Sequence, residues 1–166
     1  MKVRTTTQLR CSPDEAWEAL HTPQKAAELY GSFVQMVFPD DTPQRFNKNQ
    51  AVTVSLLFAK RIPMGKQRIL ITDRETRIGA WRERVMCDSG GPQSGPLALV
   101  NHWRHEMAIT ADPANPERAR IQDTLSFQGA AAPFVWPVLA VVWRWRQLRI
   151  AQVSERWGSS AARSRT

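Results

Sequence analysis

Three ionisable side chains occupy matching places in three predicted strands. Glu83, His105 and Asp123 each stand at the same parity as the apolar residues of their own strand. Because successive side chains of a strand point to opposite faces, this parity predicts that all three lie on the buried face of a sheet. A charge taken out of water is costly unless it is paired and hydrogen-bonded, so we expect the three groups to bind one another.

Three roles fit such a cluster. As an internal network it would fix the register of the strands. As the polar end of an apolar cavity it would bind a hydroxyl or carbonyl group of a ligand. As an acid–base site it would use His105 for proton transfer, oriented by Glu83 or Asp123, since imidazole titrates near neutral pH. The residues leave these three interpretations open.

The same parity identifies the side chains that would face a ligand. Large flat side chains often line apolar pockets. We therefore add one tryptophan on a strand and one on the last helix to the predicted ligand-binding residues. The predicted ligand-binding residues are Asn101, Trp103, His105, Met107, Asp123, Leu125 and Trp145. Arginines at the opposite parity are predicted to face solvent, and these are Arg82, Arg84, Arg104, Arg118 and Arg120.

The sequence predicts no metal site and no cofactor. His102 and His105 come closest to a ligand pair, but residues three apart on a strand point to opposite faces. No serine stands in a nucleophile motif such as G-x-S-x-G, and the two cysteines have no motif around them.

Start signals and periodicity define the elements that must position these groups. Ser12-Pro13-Asp14-Glu15 predicts a capping box and a helix, and Thr22-Pro23 predicts a second helix. Alternating apolar residues predict strands over residues 2–10, 33–38, 51–59, 65–74, 78–87, 97–111 and 118–128. Between them lie clusters of Gly, Pro, Asp and Asn that favour antiparallel hairpins.

A long helix is predicted for the last element, over residues 133–156. Its apolar residues are Phe134, Val138, Val141, Trp145 and Leu148, with Val135, Leu139 and Val142 alongside, at a helical spacing that we interpret as a buried face. The sequence does not decide whether Arg144, Arg146 and Arg149 face solvent or the mouth of a cavity. Residues 1–157 are predicted to form one α+β domain, followed by a disordered tail over 158–166.

The net charge and the cysteine content indicate which partners the protein could bind and in which cellular compartment it resides. The formal net charge of +8 favours an anionic partner, but no aromatic residues interleave with the strand arginines as nucleic-acid binding requires. Cys11 and Cys87 form no disulfide framework, and the polar N-terminal segment is unlike a signal peptide, so we expect a cytoplasmic protein. The apolar run over 130–143 is shorter than the about 20 residues of a spanning helix.

Several strings are shared with a known group of proteins. They are Ser12-Pro13-Asp14-Glu15-Ala16-Trp17, Ser94-Gly95-Pro96-Leu97, Trp103-Arg104-His105-Glu106, Ile121-Gln122-Asp123-Thr124-Leu125-Ser126-Phe127 and Trp143-Arg144-Trp145-Arg146-Gln147-Leu148-Arg149. Together they resemble the START-like (SRPBCC) superfamily, in particular a bacterial branch of polyketide cyclase-like and ligand-binding-like proteins. The chain departs from that branch at Gly129-Ala130-Ala131-Ala132-Pro133-Phe134, where a Pro-Phe-Gly turn is expected.

The resemblance implies a helix-grip fold, in which a seven-stranded antiparallel sheet wraps around the long C-terminal helix, with two short helices after the first strand. It also implies an internal cavity that binds or transports a hydrophobic small molecule, such as a lipid, a polyketide-like compound or an aromatic compound. One alternative is a polyketide cyclase or dehydratase that uses His105 with Glu83 or Asp123. A second is a basic module for peripheral contact with an anionic membrane or with a protein. The sequence indicates no oligomeric state.

Overall fold

The computed structural model describes residues 1–31, 33–79 and 81–163, and their side chains except those of residues 78 and 159–163. The strands are β1 (Lys2–Gln8), β2 (Val34–Val37), β3 (Ala51–Phe58), β4 (Ile62–Ile78), β5 (Trp81–Asp88), β6 (Gly91–Pro92), β7 (Asn101–Asp112) and β8 (Asn115–Gln128). The α-helices are α1 (Pro13–His21), α2 (Pro23–Glu28) and α3 (Ala132–Arg163), and a 3₁₀ turn covers Pro96–Leu99. No helix in this described part of the chain is long and apolar enough to cross a membrane.

One antiparallel sheet contains all the described strands. Its order is β1-β8-β7-β5-β4-β3-β2, and the short β6 pairs with β4. Helix α3 is tied along β1, because the Trp136 indole donates to the Lys2 carbonyl at 3.0 Å and the Gln147 amide donates to the Thr6 carbonyl at 2.9 Å. The predicted α+β architecture, with a curled antiparallel sheet, a long C-terminal helix and two short helices after the first strand, is confirmed.

Helix α1 begins where its sequence signal predicts. The backbone N–H of Glu15 donates to the Ser12 hydroxyl at 3.3 Å, and the Glu15 carboxylate accepts from the Ser12 backbone N–H at 2.9 Å. These two bonds form the capping box, and Pro13 occupies the first turn. Helix α2 likewise begins at Pro23, directly after Thr22.

The segment before β7 differs from its prediction. The strand predicted from residue 97 begins only at Asn101, because Pro96–Leu99 forms the 3₁₀ turn. Gly91 and Pro92 belong to one of the Gly- and Pro-rich clusters that predict turns between strands, but they pair with β4 and form β6. Gly91 has a φ of 82°, and a Cβ added to it would lie 2.8 Å from the Trp103 Cβ. Only glycine therefore lets this segment pass so close to Trp103.

Helix α3 buries only part of the face that its spacing predicts. Phe134, Val138, Val141, Trp145 and Leu148 are between 39% and 83% exposed, so these five do not form the buried face, whereas Leu139 and Val142, predicted alongside them, are buried. The buried face follows a second set at the same spacing, namely Leu139, Trp143, Arg146, Ile150, Val153 and Trp157. Two interleaved stripes with one spacing cannot be separated by periodicity alone.

The end of α3 also extends past its predicted position. The helix continues to Arg163, into the segment 158–166 that was predicted to be disordered. Trp157 is only 4% exposed and belongs to the core, so it holds the helix against the sheet beyond residue 156. Residues 164–166 lie outside the described residues.

Two clusters of buried residues fill the space between sheet and helices. The larger lies beneath α1, α2 and the second half of α3, and includes Leu20, Met107 and Ile150. The smaller lies beneath the first half of α3, and includes Trp103 and Trp143. Met107 and Trp143 are also members of one polar network, which therefore touches both clusters.

Candidate functional site

Asp123 on β8 is the centre of a buried hydrogen-bond network. Its Oδ1 accepts from His105 Nε2 at 2.6 Å and from Trp143 Nε1 at 3.0 Å. Its Oδ2 accepts from Arg146 Nε at 2.6 Å. Register places His105 and Asp123 on one face, since His105 pairs with Leu125 and Asp123 pairs with Met107 across β7 and β8. The network thus joins two strands to α3.

Opposite charges keep this centre ionised. Burial alone would raise the pKa of Asp123, but the charge of Arg146 and the contact with His105 outweigh it and hold the pKa well below its usual range. Burial in turn would lower the pKa of Arg146, but the Asp123 charge outweighs it and the guanidinium stays charged. Because the carboxylate is ionised, His105 Nε2 carries the hydrogen of their bond.

Arg146 makes further contacts that fix its place in the core. Its Nη2 donates to the Met107 sulfur at 3.0 Å, and its guanidinium carbon lies 5.0 Å from the centre of the Tyr30 ring. The latter distance is that of a cation–π contact. Burial raises the pKa of the Tyr30 phenol, so this ring is neutral at physiological pH. Arg146 therefore connects α3 with β7, β8 and the segment after α2.

Asp88 at the end of β5 faces a small void of about 40 Å³ beside the network, lined also by Tyr30, His105 and Arg146. Asp88 Oδ1 accepts from the backbone N–H groups of Leu70 at 2.9 Å and Gly90 at 3.0 Å. Burial raises the pKa of this carboxyl, and these hydrogen bonds only partly oppose the shift. Asp88 is thus held in place by backbone groups rather than by a cation.

The variant Asp88→Asn should keep the fold within about 1 kcal/mol of wild type or stabilise it, because asparagine retains the oxygen that accepts both backbone bonds. A raised pKa means that the folded state holds the proton more tightly. The contribution of Asp88 to stability therefore improves as pH falls through the folded pKa towards the lower pKa of the unfolded chain. Urea unfolding across this pH range should show the variant at its greatest advantage near pH 7, and an advantage that grew on acidification would contradict the assignment.

An apolar cavity of about 380 Å³ lies next to this polar centre, between α3 and the sheet. Almost all of its wall is hydrocarbon or aromatic ring. It is lined by Tyr30, Phe33, Val34, Met36, Leu56, Phe58, Ile62, Met64, Gln67, Leu97, Trp103, Val138, Leu139, Val142 and Trp143. Ile62 and Val138 line it while more than half exposed, so they mark its opening, which we call the cavity mouth.

Aromatic contacts shape the wall of the cavity. Phe33 meets Phe58 edge to face at 5.2 Å between ring centres, and Trp103 meets Trp143 at 6.3 Å. Trp143 also contacts the His105 ring edge to face at 5.0 Å. Because the Trp143 N–H is bonded to Asp123, the polar network fixes one wall of the apolar cavity.

The structure gathers some predicted site residues and separates others. His105, Met107 and Asp123 meet in the network, and Trp103 lines the cavity. Leu125 is fully buried in the smaller core cluster. Asn101 and Trp145 stand apart, because Asn101 is exposed and Trp145 is 39% exposed, its N–H donating to the Tyr30 carbonyl at 3.1 Å.

Glu83 lies on the other face of the sheet, so its predicted place beside His105 and Asp123 is corrected. It lines a shallow outer groove with Trp81 and Gln122. The inward residues of β5 are Met86 and Asp88, which pair with Met107 and His105. Parity misleads here because Val85 and Cys87 are buried on the outer face, which gives both faces of β5 apolar residues.

Arg84 is a second correction on the same strand. It was predicted to face solvent, but its Nη2 lies 2.7 Å from Asp14 Oδ1 and its guanidinium lies 5.1 Å from the centre of the Trp17 ring. Arg84 is therefore covered by α1. Arg84 has the same parity as the inward-facing Met86 and Asp88. Because it is charged, the sequence did not show that this parity of β5 faces the core.

Sequence reasoning missed four members of the polar centre, namely Tyr30, Asp88, Trp143 and Arg146. The stripe that runs through Leu139, Trp143, Arg146 and Ile150 continues to Trp157, whereas the exposed stripe continues into Gln152 and Glu155. The longer apolar stripe was therefore a usable signal for the buried face. It places Arg146 inside the core, where an arginine needs a carboxylate partner.

No protein-family model matches the chain, and no curated protein matches its sequence. Solved structures match it over most of its length. A protein from Arthrobacter aurescens has a TM-score of 0.59 at 10% identity, over 96% of this chain and 86% of its own. A protein from Mesorhizobium loti has a TM-score of 0.58 at 12% identity, over 94% and 98%. The Aha1 dimer from Colwellia psychrerythraea has a TM-score of 0.57 at 11% identity, over 93% and 96%.

These structures share with the chain a curled antiparallel sheet and a C-terminal helix. The chain has the helix-grip fold. At identities near one residue in ten the likeness extends to the fold and not to an activity. The features of this helix-grip protein that bear on its function are its own cavity and polar network. Among the described residues, no group of three or more His, Cys, Asp and Glu side chains is placed to hold a metal ion.

Proposed function

We propose that the protein binds an apolar small molecule in the cavity between the sheet and α3. The observation that carries this proposal is the cavity itself, about 380 Å³ in volume and walled almost entirely by apolar side chains. Ligand pockets for small molecules begin at roughly 300 Å³, and apolar cavities of about 150 Å³ already bind benzene. An opening at Ile62 and Val138 gives the ligand a route of entry.

The few polar groups in the wall narrow the class of ligand. Tyr30, Gln67 and Trp103 bring a phenol, an amide and an indole to an otherwise apolar surface. The Trp103 N–H is buried and has no acceptor among the described residues. A buried donor without a partner costs about 1–3 kcal/mol. We therefore expect a hydrocarbon or aromatic ligand with one carbonyl or hydroxyl oxygen, as in a fatty acyl or polyketide-like compound.

The polar network supports ligand binding by serving as a rigid framework for the cavity. His105 Nε2 is bonded to Asp123, and His105 lines the small void rather than the apolar cavity. An acid–base enzyme would need its proton-transfer group at the substrate, so the geometry favours binding or transport over cyclase chemistry. By fixing Trp143 and Arg146 against β7 and β8, the network holds α3 at a constant distance from the sheet and keeps the cavity open.

Native mass spectrometry of freshly purified protein tests the proposal, followed by extraction into organic solvent. We expect a mass excess that disappears on denaturation and an apolar compound in the extract. Protein that is empty should take up N-phenylnaphthylamine, a neutral fluorescent aromatic probe, with a rise in its fluorescence. An empty protein that also fails to bind this probe would contradict ligand binding.

A further inference from the structure

The outer face of α3 presents apolar side chains to solvent. Phe134, Val138, Val141, Trp145 and Leu148 repeat at spacings of four and three residues and form one stripe. Three of them are 58%, 61% and 83% exposed, namely Val138, Val141 and Phe134. A continuous apolar stripe on a folded protein marks a place where another apolar surface binds.

This stripe is continuous with the cavity mouth. Val138 belongs to both, and Ile62 lies across the opening at 56% exposure. Trp145 lies 6.3 Å from Phe33 between ring centres, and Phe33 lines the cavity. The stripe and Ile62 together form one surface around the opening, which we call the mouth surface.

Acidic residues are excluded from the part of the chain that builds this surface. All 15 Asp and Glu residues lie outside residues 29–39, 42–72, 89–105 and 124–154. Every residue that lines the cavity falls within these four ranges. The same ranges supply the exposed basic side chains Lys60 and Arg61 in the hairpin before Ile62, and Arg144 on α3. The mouth surface is therefore apolar, with a basic border.

We propose that the mouth surface docks the protein on an anionic lipid bilayer. Apolar side chains flanked by Lys and Arg are the pattern with which peripheral proteins enter the interface of a membrane that contains acidic lipids. Phe134, Val138 and Val141 would enter the acyl boundary, while Arg61 and Arg144 would bind lipid phosphates. The proposal stands independently of what the cavity holds.

A second copy of the chain is the other occupant that such a stripe suggests. Spacings of four and three residues are those of a coiled-coil seam. On α3, however, Arg144 and Arg149 border the stripe on its two sides, so a paired helix would bring like charges together. Charge complementarity thus favours an acidic lipid surface over self-association.

Vesicle co-sedimentation tests the proposal on the full chain, with phosphatidylcholine vesicles that contain or lack phosphatidylglycerol. We expect binding only to the anionic vesicles, and weaker binding as salt rises. The double variant Arg61→Gln/Arg144→Gln should bind about tenfold more weakly or worse. Its matched control, Arg118→Gln/Arg120→Gln, loses the same net charge from exposed residues on β8 and should bind like wild type.

A second double variant tests the contribution of the apolar side chains to membrane binding. Val138→Ser/Val141→Ser changes two exposed side chains, so the fold should be retained by circular dichroism while vesicle binding falls. Equal binding by the two arginine variants would overturn the proposal, as would no binding by wild type. Sedimentation velocity supplies the last outcome: a wild-type dimer that the serine variant dissociates would assign the stripe to self-association and overturn the membrane proposal.

Discussion

Asp123→Asn is expected to destabilise the protein by about 3–5 kcal/mol. The substitution leaves the Arg146 guanidinium buried without its carboxylate, and breaking a buried ion pair from one side has a cost of this size. Arg146 is only 2% exposed, so water cannot replace the lost partner without opening the core. Urea unfolding followed by circular dichroism measures the difference between variant and wild type.

Two further variants test whether the loss of stability comes from the buried, unpaired charge. Glu106→Gln removes a carboxylate from the exposed pair with Arg104, whose oxygen and nitrogen lie 2.8 Å apart, and should cost less than about 1 kcal/mol. Asp123→Leu/Arg146→Met removes both charges and should recover much of the loss, because an apolar pair of similar size needs no compensation. An Asp123→Asn variant as stable as Glu106→Gln would show that the network does not hold α3.

Val142→Trp is expected to abolish most ligand binding without loss of stability. Val142 is 8% exposed and lines the cavity, so the larger ring would occupy space that the ligand needs. We expect affinity for N-phenylnaphthylamine to fall at least tenfold, while filling an existing cavity adds about 0.5–2 kcal/mol to the free energy of unfolding. Fluorescence titration and urea unfolding measure the two effects on the same sample.

The neighbouring residue provides the matched control. Val141 is 61% exposed on the outer face of α3, so Val141→Trp adds the same ring outside the cavity and should leave probe affinity unchanged. If both tryptophan variants weakened binding equally, the probe would be binding the exposed stripe and not the cavity. A Val142→Trp variant that bound normally would lead to the same conclusion.

The parts of the fold that were predicted correctly have local causes. The capping box at Ser12 and Glu15 uses side chains three residues apart, and no distant contact is needed to recognise it. The order of strands and hairpins follows from alternation between turn signals. His105 and Asp123 were placed together for the same reason, since each lies at the apolar parity of a strand with one clear buried face.

The errors arose where an element has two apolar faces. On β5 the outer Val85 and Cys87 are buried, as is the inner Met86, so parity gave Glu83 the wrong side. On α3 two stripes share one spacing, and in the sequence they differ only in length, since the buried stripe continues to Trp157 and the exposed one continues into Gln152 and Glu155. Asp88 was missed because the predicted strand ended at residue 87, and Arg146 was missed because spacing did not decide between solvent and a cavity mouth.

Binding of an apolar molecule in the cavity between α3 and the sheet can be observed crystallographically. Anomalous diffraction from crystals soaked with bromonaphthalene tests it most directly, because bromine gives the position of the ring without assumptions about its contacts. We expect a bromine peak inside the cavity, in contact with Phe58, Trp103 and Leu139. Bromine found only on the outer face of α3, with the cavity filled by the protein's own side chains, would contradict it.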